Sequence, residues 1–228
     1  MPTSLTAQSY EALGGDDSIL VRQRRDHAEL DRMMRSYESA GGSDEERRRT
    51  LKEIVQLTFS HAFAEETVLW PALRRLAPDG EELTARVEKE HQQINELIAG
   101  IERTAVGAPA RHAVVARAFD LIRQDIRDEE DLLLPRLQEA LDTAELRRLG
   151  AAWEAVRRTA PTHPHPAVPR RPPGNVVLGV PLSAYDRARD LVPLGADPAR
   201  VRRLAAAAAV LALGVWLVRT VRAQGRRA

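Results

Sequence analysis

The chain has 228 residues, of which 29% are charged, and the opposite charges nearly cancel to a formal net charge of +1. Aromatic residues make up 4% of the chain and cysteine is absent. This composition excludes disulfides and zinc–thiolate sites and predicts no nucleic-acid partner. The N-terminus lacks a basic segment followed by an apolar run, so we expect no signal peptide and a cytoplasmic location for the folded part.

Cap signals and helical periodicity predict four long helices, at residues 18–40, 44–76, 81–105 and 110–140, and a short fifth helix at 143–158. Ser43 followed by Glu46 is a capping-box pattern that opens the second helix. Pro71 is expected to kink that helix or end it early. Long helices joined by short turns predict an all-α fold, an antiparallel four-helix bundle.

Composition divides the chain into five segments. Residues 161–173 contain six prolines, which predicts a stiff extended linker outside the core. The segments are a flexible N-terminal arm (1–15), the bundle with its fifth helix (16–158), the linker with a short amphipathic piece (159–200), an apolar helix (201–221) and a basic tail (222–228). In the amphipathic piece, Asp186 and Arg187 are expected to face outward.

The apolar helix allows two interpretations. Residues 204–218 carry no charge and have arginines on both sides. A membrane span usually needs ~20 apolar residues, and this stretch of fifteen includes six alanines. It therefore predicts either a short C-terminal membrane anchor, extended by snorkelling arginines, or an apolar helix docked on the bundle or on a second copy.

A shift of 64 residues relates the two halves of the predicted bundle. The segment from His61 to Leu73 aligns with the segment from Asp125 to Leu137. The matched pairs include His27 with His91, Glu65 with Glu129, Glu66 with Glu130 and Pro71 with Pro135, whereas His61 is matched by Asp125. One offset shared by so many positions predicts two similar helical hairpins packed around one site.

Six ionisable residues fall on or near the apolar stripes of the four helices. They are His27, His61, Glu65, His91, Asp125 and Glu129. Burying such groups is costly unless something satisfies them, and a metal ion would do so. Nitrogen and oxygen donors without sulfur favour iron, or manganese, over zinc. The repeat assigns the first two histidines to one metal and the His91–Asp125 pair to the other, with the two glutamates shared.

The remaining acidic residues nearby are expected to be solvated surface charges: Glu66, Asp128, Glu130 and Asp131. His112 lies away from the level of the candidate ligands and is predicted to be a surface residue. His163 and His165 lie between the prolines of the linker, where no scaffold supports them, and we expect no metal there.

The order of His27, His61 with Glu65, His91, and Asp125 with a glutamate four residues later resembles the hemerythrin-like (HHE) cation-binding family over about residues 18–140. The resemblance implies a four-helix bundle that holds two iron ions with carboxylate bridges, and a small diatomic or peroxide ligand. Members of this family bind oxygen, sense oxygen, iron or redox state, or react with peroxide or nitric oxide.

The sequence departs from the family pattern at Asp125, where the pattern has histidine, and Asn95 stands where a second histidine sometimes follows the third-helix ligand. A carboxylate at residue 125 makes the ligand set harder, which favours ferric iron and opposes reversible oxygen carriage. Three functions stay open. They are binding or sensing of a small oxidant or of redox state, an enzyme that consumes peroxide or nitric oxide, and a membrane-tethered interaction domain whose metal site has degenerated. A mononuclear site is a further alternative.

Overall fold

The computed structural model describes residues 4–39, 43–104 and 108–190, and within them all regular secondary structure is helical. The α-helices are α1 (Ile19–Glu38), α2 (Asp44–Ala64), α3 (Trp70–Leu76), α4 (Gly80–Arg103), α5 (Pro109–Asp128), α6 (Leu134–Ala140), α7 (Thr143–Arg157) and α8 (Gly174–Asp190). A 3-10 turn covers Leu5–Ala7, and π-helical turns cover Glu65–Leu69 and Glu129–Leu133. The predicted second and fourth helices are therefore each an α-helix, a π turn and a shorter α-helix in succession.

Side-chain caps fix where the bundle helices begin. The hydroxyl of Ser18 accepts a hydrogen bond from the backbone N–H of Leu20 at the start of α1. At the start of α2, Ser43 and Glu46 form the predicted capping box, in which each side chain accepts from the other residue's backbone N–H. These caps satisfy N–H groups that have no partner within their own helix.

The prolines of the repeat do not end their helices, so that of the two outcomes predicted for Pro71, a kink or an early end, the early end is excluded. Immediately before each proline the chain forms a wide turn, in which the N–H of Trp70 donates to the carbonyl of Glu65 and that of Leu134 to the carbonyl of Glu129. A π turn holds one residue more than an α turn between its bonded groups, and so re-orients the side chains around it. The glutamates that open both turns are buried.

Four helical units form the bundle, since α1 packs against α2 and α5, and α4 packs against α2 and α5. Two apolar clusters fill its two ends. One contains Leu20, Leu69, Trp70, Leu73, Leu133, Leu134 and Trp153, and the other contains Leu30, Met34, Ile54, Phe59, Ile94, Ile98, Phe119 and Ile122. The helix α7 packs across α1 and α2 and contributes the buried indole of Trp153.

The N-terminal segment is packed from Ser4 onward, unlike the flexible arm predicted for residues 1–15. Leu5 and Leu13 are fully buried in the apolar cluster that contains Leu20. The amide groups of Gln8 and Gln138 exchange hydrogen bonds of 2.9 and 2.8 Å across the chain. Burying each of these leucines contributes about 2 kcal/mol to holding the segment in place.

The proline-rich segment, predicted to be a stiff extended linker outside the core, packs on the bundle. We call residues 160–175 the strap. Ala160 and Asn175 at its two ends are each 1% exposed. Asp186 of α8, predicted to face outward, is fully buried and accepts hydrogen bonds from the backbone N–H groups of Thr162 and His163. Burial of this carboxylate is tolerated because those donors satisfy it.

The predicted apolar helix and basic tail fall in residues 191–228, outside the described part of the chain. Among the helices in the described ranges, none is both long and apolar enough to cross a membrane.

Candidate metal centre

The middle of the bundle, between the two apolar clusters, holds a buried group of imidazoles and carboxylates. Four residues form its first half: His27, His61, Glu65 and Glu129, whose candidate ligand atoms all lie within 4.8 Å of one another. The Nε2 atoms of His27 and His61 are 3.2 Å apart. Oε2 of Glu129 lies 3.1 Å from Nε2 of His27, and Oε1 of Glu65 lies 3.0 Å from Nε2 of His61.

The second half consists of His91, Asp125 and Glu129, within the same distance limit. Nε2 of His91 lies 3.3 Å from Oδ2 of Asp125 and 3.6 Å from Oε1 of Glu129. Oε2 of Glu65 is 3.7 Å from the same nitrogen. Glu65 and Glu129 thus each direct one carboxylate oxygen toward each half of the site. All six candidate residues are buried, so the structure brings together every ligand that the repeat predicts.

Carboxylates outside this group fix the orientation of the three imidazoles. Nδ1 of His27 donates to Glu130 at 2.7 Å, and Nδ1 of His91 donates to Glu66 at 2.9 Å. Nδ1 of His61 donates to Asp26 at 3.2 Å. A proton on Nδ1 leaves the lone pair of each Nε2 directed into the centre, which is the arrangement that metal-binding histidines require.

Glu66 and Glu130 were predicted to be solvated, and the structure corrects this, since they are 1% and 7% exposed. Asp128 is also buried and pairs with Arg86, whereas Asp131 is exposed as predicted. Straight α-helical geometry turns consecutive residues about 100° apart, so that a glutamate next to a ligand should point away. The offset of 64 residues, which matches Glu66 with Glu130, was the signal that the pair shares one role.

The opposed charges shift the titration of the histidines. Burial lowers the pKa of His27, but its contacts with Glu129 and Glu130 outweigh that effect and raise its pKa to about 9. Burial acts in the same sense on His61 and His91, yet the neighbouring carboxylates raise the pKa of both well above the ordinary value. The carboxylates therefore favour cationic charge at this place in the bundle.

The two shared glutamates titrate in opposite directions. Burial and the charge of Glu129 raise the pKa of Glu65 to about 7. Burial would also raise the pKa of Glu129, but contacts with His27 and His91 hold it below its ordinary value. Of the two, Glu129 is the carboxylate that keeps its negative charge over the whole physiological range.

Buried polar atoms without hydrogen-bond partners indicate whether a cation fits this site. Five buried atoms of the candidate ligand residues make no hydrogen bond of acceptable geometry, although imidazole nitrogens lie 3.0–3.7 Å from some of them. They are both carboxylate oxygens of Glu65, Nε2 of His91, Oδ1 of Asp125 and Oε1 of Glu129. Leaving a buried polar atom unpaired costs about 1–3 kcal/mol. Such converging donors fit metal ions, since coordination would satisfy them together.

The aspartate at residue 125 also changes the surroundings of a neighbouring carboxylate, that of Glu90. The repeat matches Asp26, the acceptor for His61, with Glu90, but Asp125 has no N–H to donate to it. Oε2 of Glu90 accordingly has no hydrogen-bond partner. Burial, followed by the charges of Asp125 and Asp128, raises the pKa of Glu90 to about 7. The second half of the site is thus richer in carboxylates than the first.

The imidazoles and apolar side chains together line a small cavity. Its volume is about 20 Å³, enough for one or two molecules of the size of water. The hydrophobic part of its wall consists of Leu30, Phe59, Ala62, Ile94, Ile122 and Ile126. Trp153 closes the site beside His61, whose ring it meets edge-on at 5.5 Å between centroids.

Comparison with known proteins gives this site a family. Residues 18–137 match the profile of the hemerythrin HHE cation binding domain. An uncharacterized hemerythrin-like protein of Schizosaccharomyces pombe is 24% identical over 185 residues, covering 81% of this chain and 89% of the relative. No solved structure matches the chain. Because the family profile covers more than half of the residues, the chain belongs to the hemerythrin HHE cation-binding family, and its buried histidines and carboxylates form the candidate metal site.

Proposed function

We propose that the protein is a di-iron protein whose buried centre binds or senses a small oxidant, either oxygen, peroxide or nitric oxide. One observation carries the proposal. Glu65 and Glu129 each divide their two oxygens between the two halves of the site, at 3.0–3.7 Å from the imidazole nitrogens of both halves. Carboxylates placed in this way could each hold an ion in either half of the site.

The donor set favours iron, with manganese as the alternative. Three imidazole nitrogens and three carboxylates are available, and no sulfur donor is present, since the chain has no cysteine. Nitrogen and oxygen donors in this number suit iron or manganese, whereas structural zinc is usually four-coordinate. Family membership supports the same assignment.

The residues of the chain would hold the metal ions, orient the imidazoles and shield the cavity from water. Glu66, Glu130 and Asp26 keep the three Nε2 atoms directed inward, and the apolar wall excludes bulk water from the cavity beside them. Bound iron would supply redox change and polarisation of a small ligand. The cavity of about 20 Å³ limits that ligand to two or three heavy atoms.

The carboxylate-rich second half argues against reversible oxygen carriage. Asp125 replaces a neutral imidazole by an anion, and anionic oxygen donors stabilise the more highly charged, oxidised metal. A centre that rests in the oxidised state responds to reductants and oxidants instead of storing oxygen, which is why we propose sensing in preference to storage.

Metal analysis tests the proposal. Protein purified from iron-supplied cells is expected to contain about two iron ions per chain and to show an oxo-to-iron charge-transfer band. His61→Ala and Glu129→Ala are expected to abolish iron binding, whereas His112→Ala, at an exposed position, is expected to retain it. Less than about half an iron per chain, with no such band, would refute the proposal.

A second candidate function is an enzyme that consumes peroxide or nitric oxide. The observation that favours it is the looser donor group of the second half, in which Oε2 of Glu65 lies 3.7 Å from His91 and outside the compact group of His91, Asp125 and Glu129. Fewer protein ligands leave coordination positions free for a substrate, as catalytic metal sites require. Peroxide or nitric oxide is expected to disappear faster with the iron-loaded protein than with an equal concentration of free iron. Equal rates would rule the enzyme out.

A further inference from the structure

Arg170 links the strap to the metal centre, although it lies outside residues 18–137 that match the family profile. Its Nη1 is 3.7 Å from Oε1 of Glu66, the glutamate that orients His91. Its Nε and Nη2 each donate to Oε1 of Gln92 at 3.1 Å. The side chain is 18% exposed, so the guanidinium faces both the protein interior and solvent.

This guanidinium stands between two cavities. The inner cavity adjoins the imidazoles, and the outer one, of about 30 Å³, is lined by the strap residues Pro161, His163, His165 and Pro169. Three residues line both cavities: Phe59, Ala62 and Arg170. The two cavities are therefore separated by a phenyl ring, a methyl group and one cation.

Arg170 is the sole arginine or lysine among the described residues that line the inner cavity. An anion that leaves water for an apolar passage loses hydration, which is costly unless a positive group compensates. The ion pair of Arg170 with Glu66 is long, at 3.7 Å, which leaves part of the guanidinium charge available to an anion, and solvent screens this charge less than one at the surface. A neutral molecule gains nothing comparable from the same contact.

The strap is held against the bundle at both ends. Asp186 accepts hydrogen bonds from the N–H groups of Thr162 and His163 and, at 3.0 Å, from Nε2 of His165. At the other end, Nδ2 of Asn175 donates to the hydroxyl of Thr67, within the first π turn, at 3.0 Å. Arg170 lies between these two attachments, so its position follows from the packing of the strap and not from an isolated surface contact.

We propose that Arg170 is a specificity-determining residue at the entrance of the metal cavity, which favours small monovalent anions over neutral molecules of the same size. The ligand class is an anion of two or three heavy atoms, such as hydroperoxide or azide. The inference rests on the proposed di-iron function and adds that the strap, which lies beyond the family domain, selects the ligand by its charge.

The neighbouring residue provides a matched control. Arg171 pairs with Glu88 at 2.8 Å and with Glu81 at 2.7 Å, both on α4, and lines neither cavity. Arg171→Gln therefore removes an arginine and its ion pairs from the same strap without changing the entrance. Arg170→Lys keeps the positive charge at the entrance, whereas Arg170→Gln removes it.

The experiment uses the full-length, iron-loaded chain, with azide as the anionic probe and nitric oxide as the neutral one. Azide binding is followed by its charge-transfer absorption. Arg170→Gln is expected to weaken azide binding about tenfold, which corresponds to 1.4 kcal/mol, and to leave nitric oxide binding within about twofold of wild type. Arg170→Lys and Arg171→Gln are expected to stay within about threefold of wild type for both ligands. Added salt should weaken azide binding to wild type more than to Arg170→Gln.

Three results would overturn the inference. The first is azide affinity of Arg170→Gln within about twofold of wild type. The second is equal weakening of both ligands, which would indicate a structural role of the strap. The third is the absence of iron from the wild-type chain, whose iron content is measured before any ligand is added. A wild-type chain without iron refutes the proposed function together with this inference, whereas two irons with unchanged azide affinity refute the inference alone.

Discussion

Replacing Glu129 by glutamine should remove more metal than the loss of one ligand suggests. Glu129→Gln keeps the size of the side chain but replaces one oxygen with an NH₂ group, which donates and does not coordinate. The residue belongs to both halves of the site. Without it, the second half keeps His91, Asp125 and the more distant oxygen of Glu65, 3.7 Å from His91, whereas the first half keeps His27, His61 and the nearer oxygen of Glu65. We expect the second metal to be lost and the first to bind more weakly.

The size of the effect follows from the role of the bound ions in folding. A ligand present at 1,000 times its dissociation constant stabilises the native state by about 4 kcal/mol, and a 100-fold loss of affinity removes about 2.7 kcal/mol of this. Outer partners of metal ligands already contribute 10–100-fold, so about 100-fold is a minimum for a bridging ligand. For a chain of this length, the loss lowers the metal-dependent rise in Tm by roughly 5–10 °C.

The assay combines iron content per chain with thermal unfolding in the presence of iron and of chelator. The chelator measurement supplies each variant's own baseline, so that only the metal-dependent part of Tm is compared. Asp131→Asn is the matched control, because Asp131 lies on the same π turn and is exposed. A Glu129→Gln protein that retains two irons and the full rise in Tm would show that the carboxylate does not bridge.

Three further predictions concern the groups around the ligands. Glu66→Gln and Glu130→Gln should each weaken metal binding about 10–100-fold in chelator competition, because His91 and His27 lose the acceptors that orient them; unchanged affinity would contradict this role. Asp125→His should raise the reduction potential in a spectroelectrochemical titration, since it removes one anionic ligand and gives Glu90 an N–H to accept; a lower potential would oppose the account. The Tm of the chelator-treated protein should fall between about pH 6.5 and 9, because the pKa of His27 is raised to about 9 from 6.5 and its stabilising contribution, complete below the unfolded-state pKa, is lost as the pH passes the folded-state value. A Tm that rises over this interval would contradict the assigned direction.

The helices and the candidate ligands could be predicted from the sequence because their signals are local or repeated. Ser43 and Glu46 lie three residues apart, and the capping box they form needs no distant partner. The ligand positions recur after 64 residues, and the spacing of histidine and glutamate by four places both on one helical face. Such patterns are independent of how the rest of the chain packs.

The roles of Glu66 and Glu130 could not be predicted in the same way. An ordinary α-helix turns the residue after a ligand away from the centre, whereas these glutamates lie in π turns. The proline that follows each turn in sequence is compatible with a kink, a helix end or a π turn, and only packing selects among them.

The strap was missed for a different reason. Its prolines predict a stiff extended segment, whereas residues 162–173 form a series of turns and bends, and nothing in that composition indicates where the segment lies. Its position depends on distant contacts, above all on Asp186. A second such contact is the close approach of Gly179 to Phe63, where an added Cβ would lie 2.5 Å from the ring. Pairs separated by so many residues leave no periodic signal in the sequence.

Each hairpin provides the glutamate that accepts a hydrogen bond from a histidine of the other hairpin, and this affects how substitutions can alter the centre. His27 donates to Glu130 while His91 donates to Glu66, so each hairpin completes the half-site of the other, as two identical subunits would in a symmetric homodimer. In a homodimer, any mutation appears twice. Because both hairpins here belong to one polypeptide, residue 125 can be a carboxylate while residue 61 remains an imidazole. Covalent duplication thus permits the two ends of one centre to become chemically unequal.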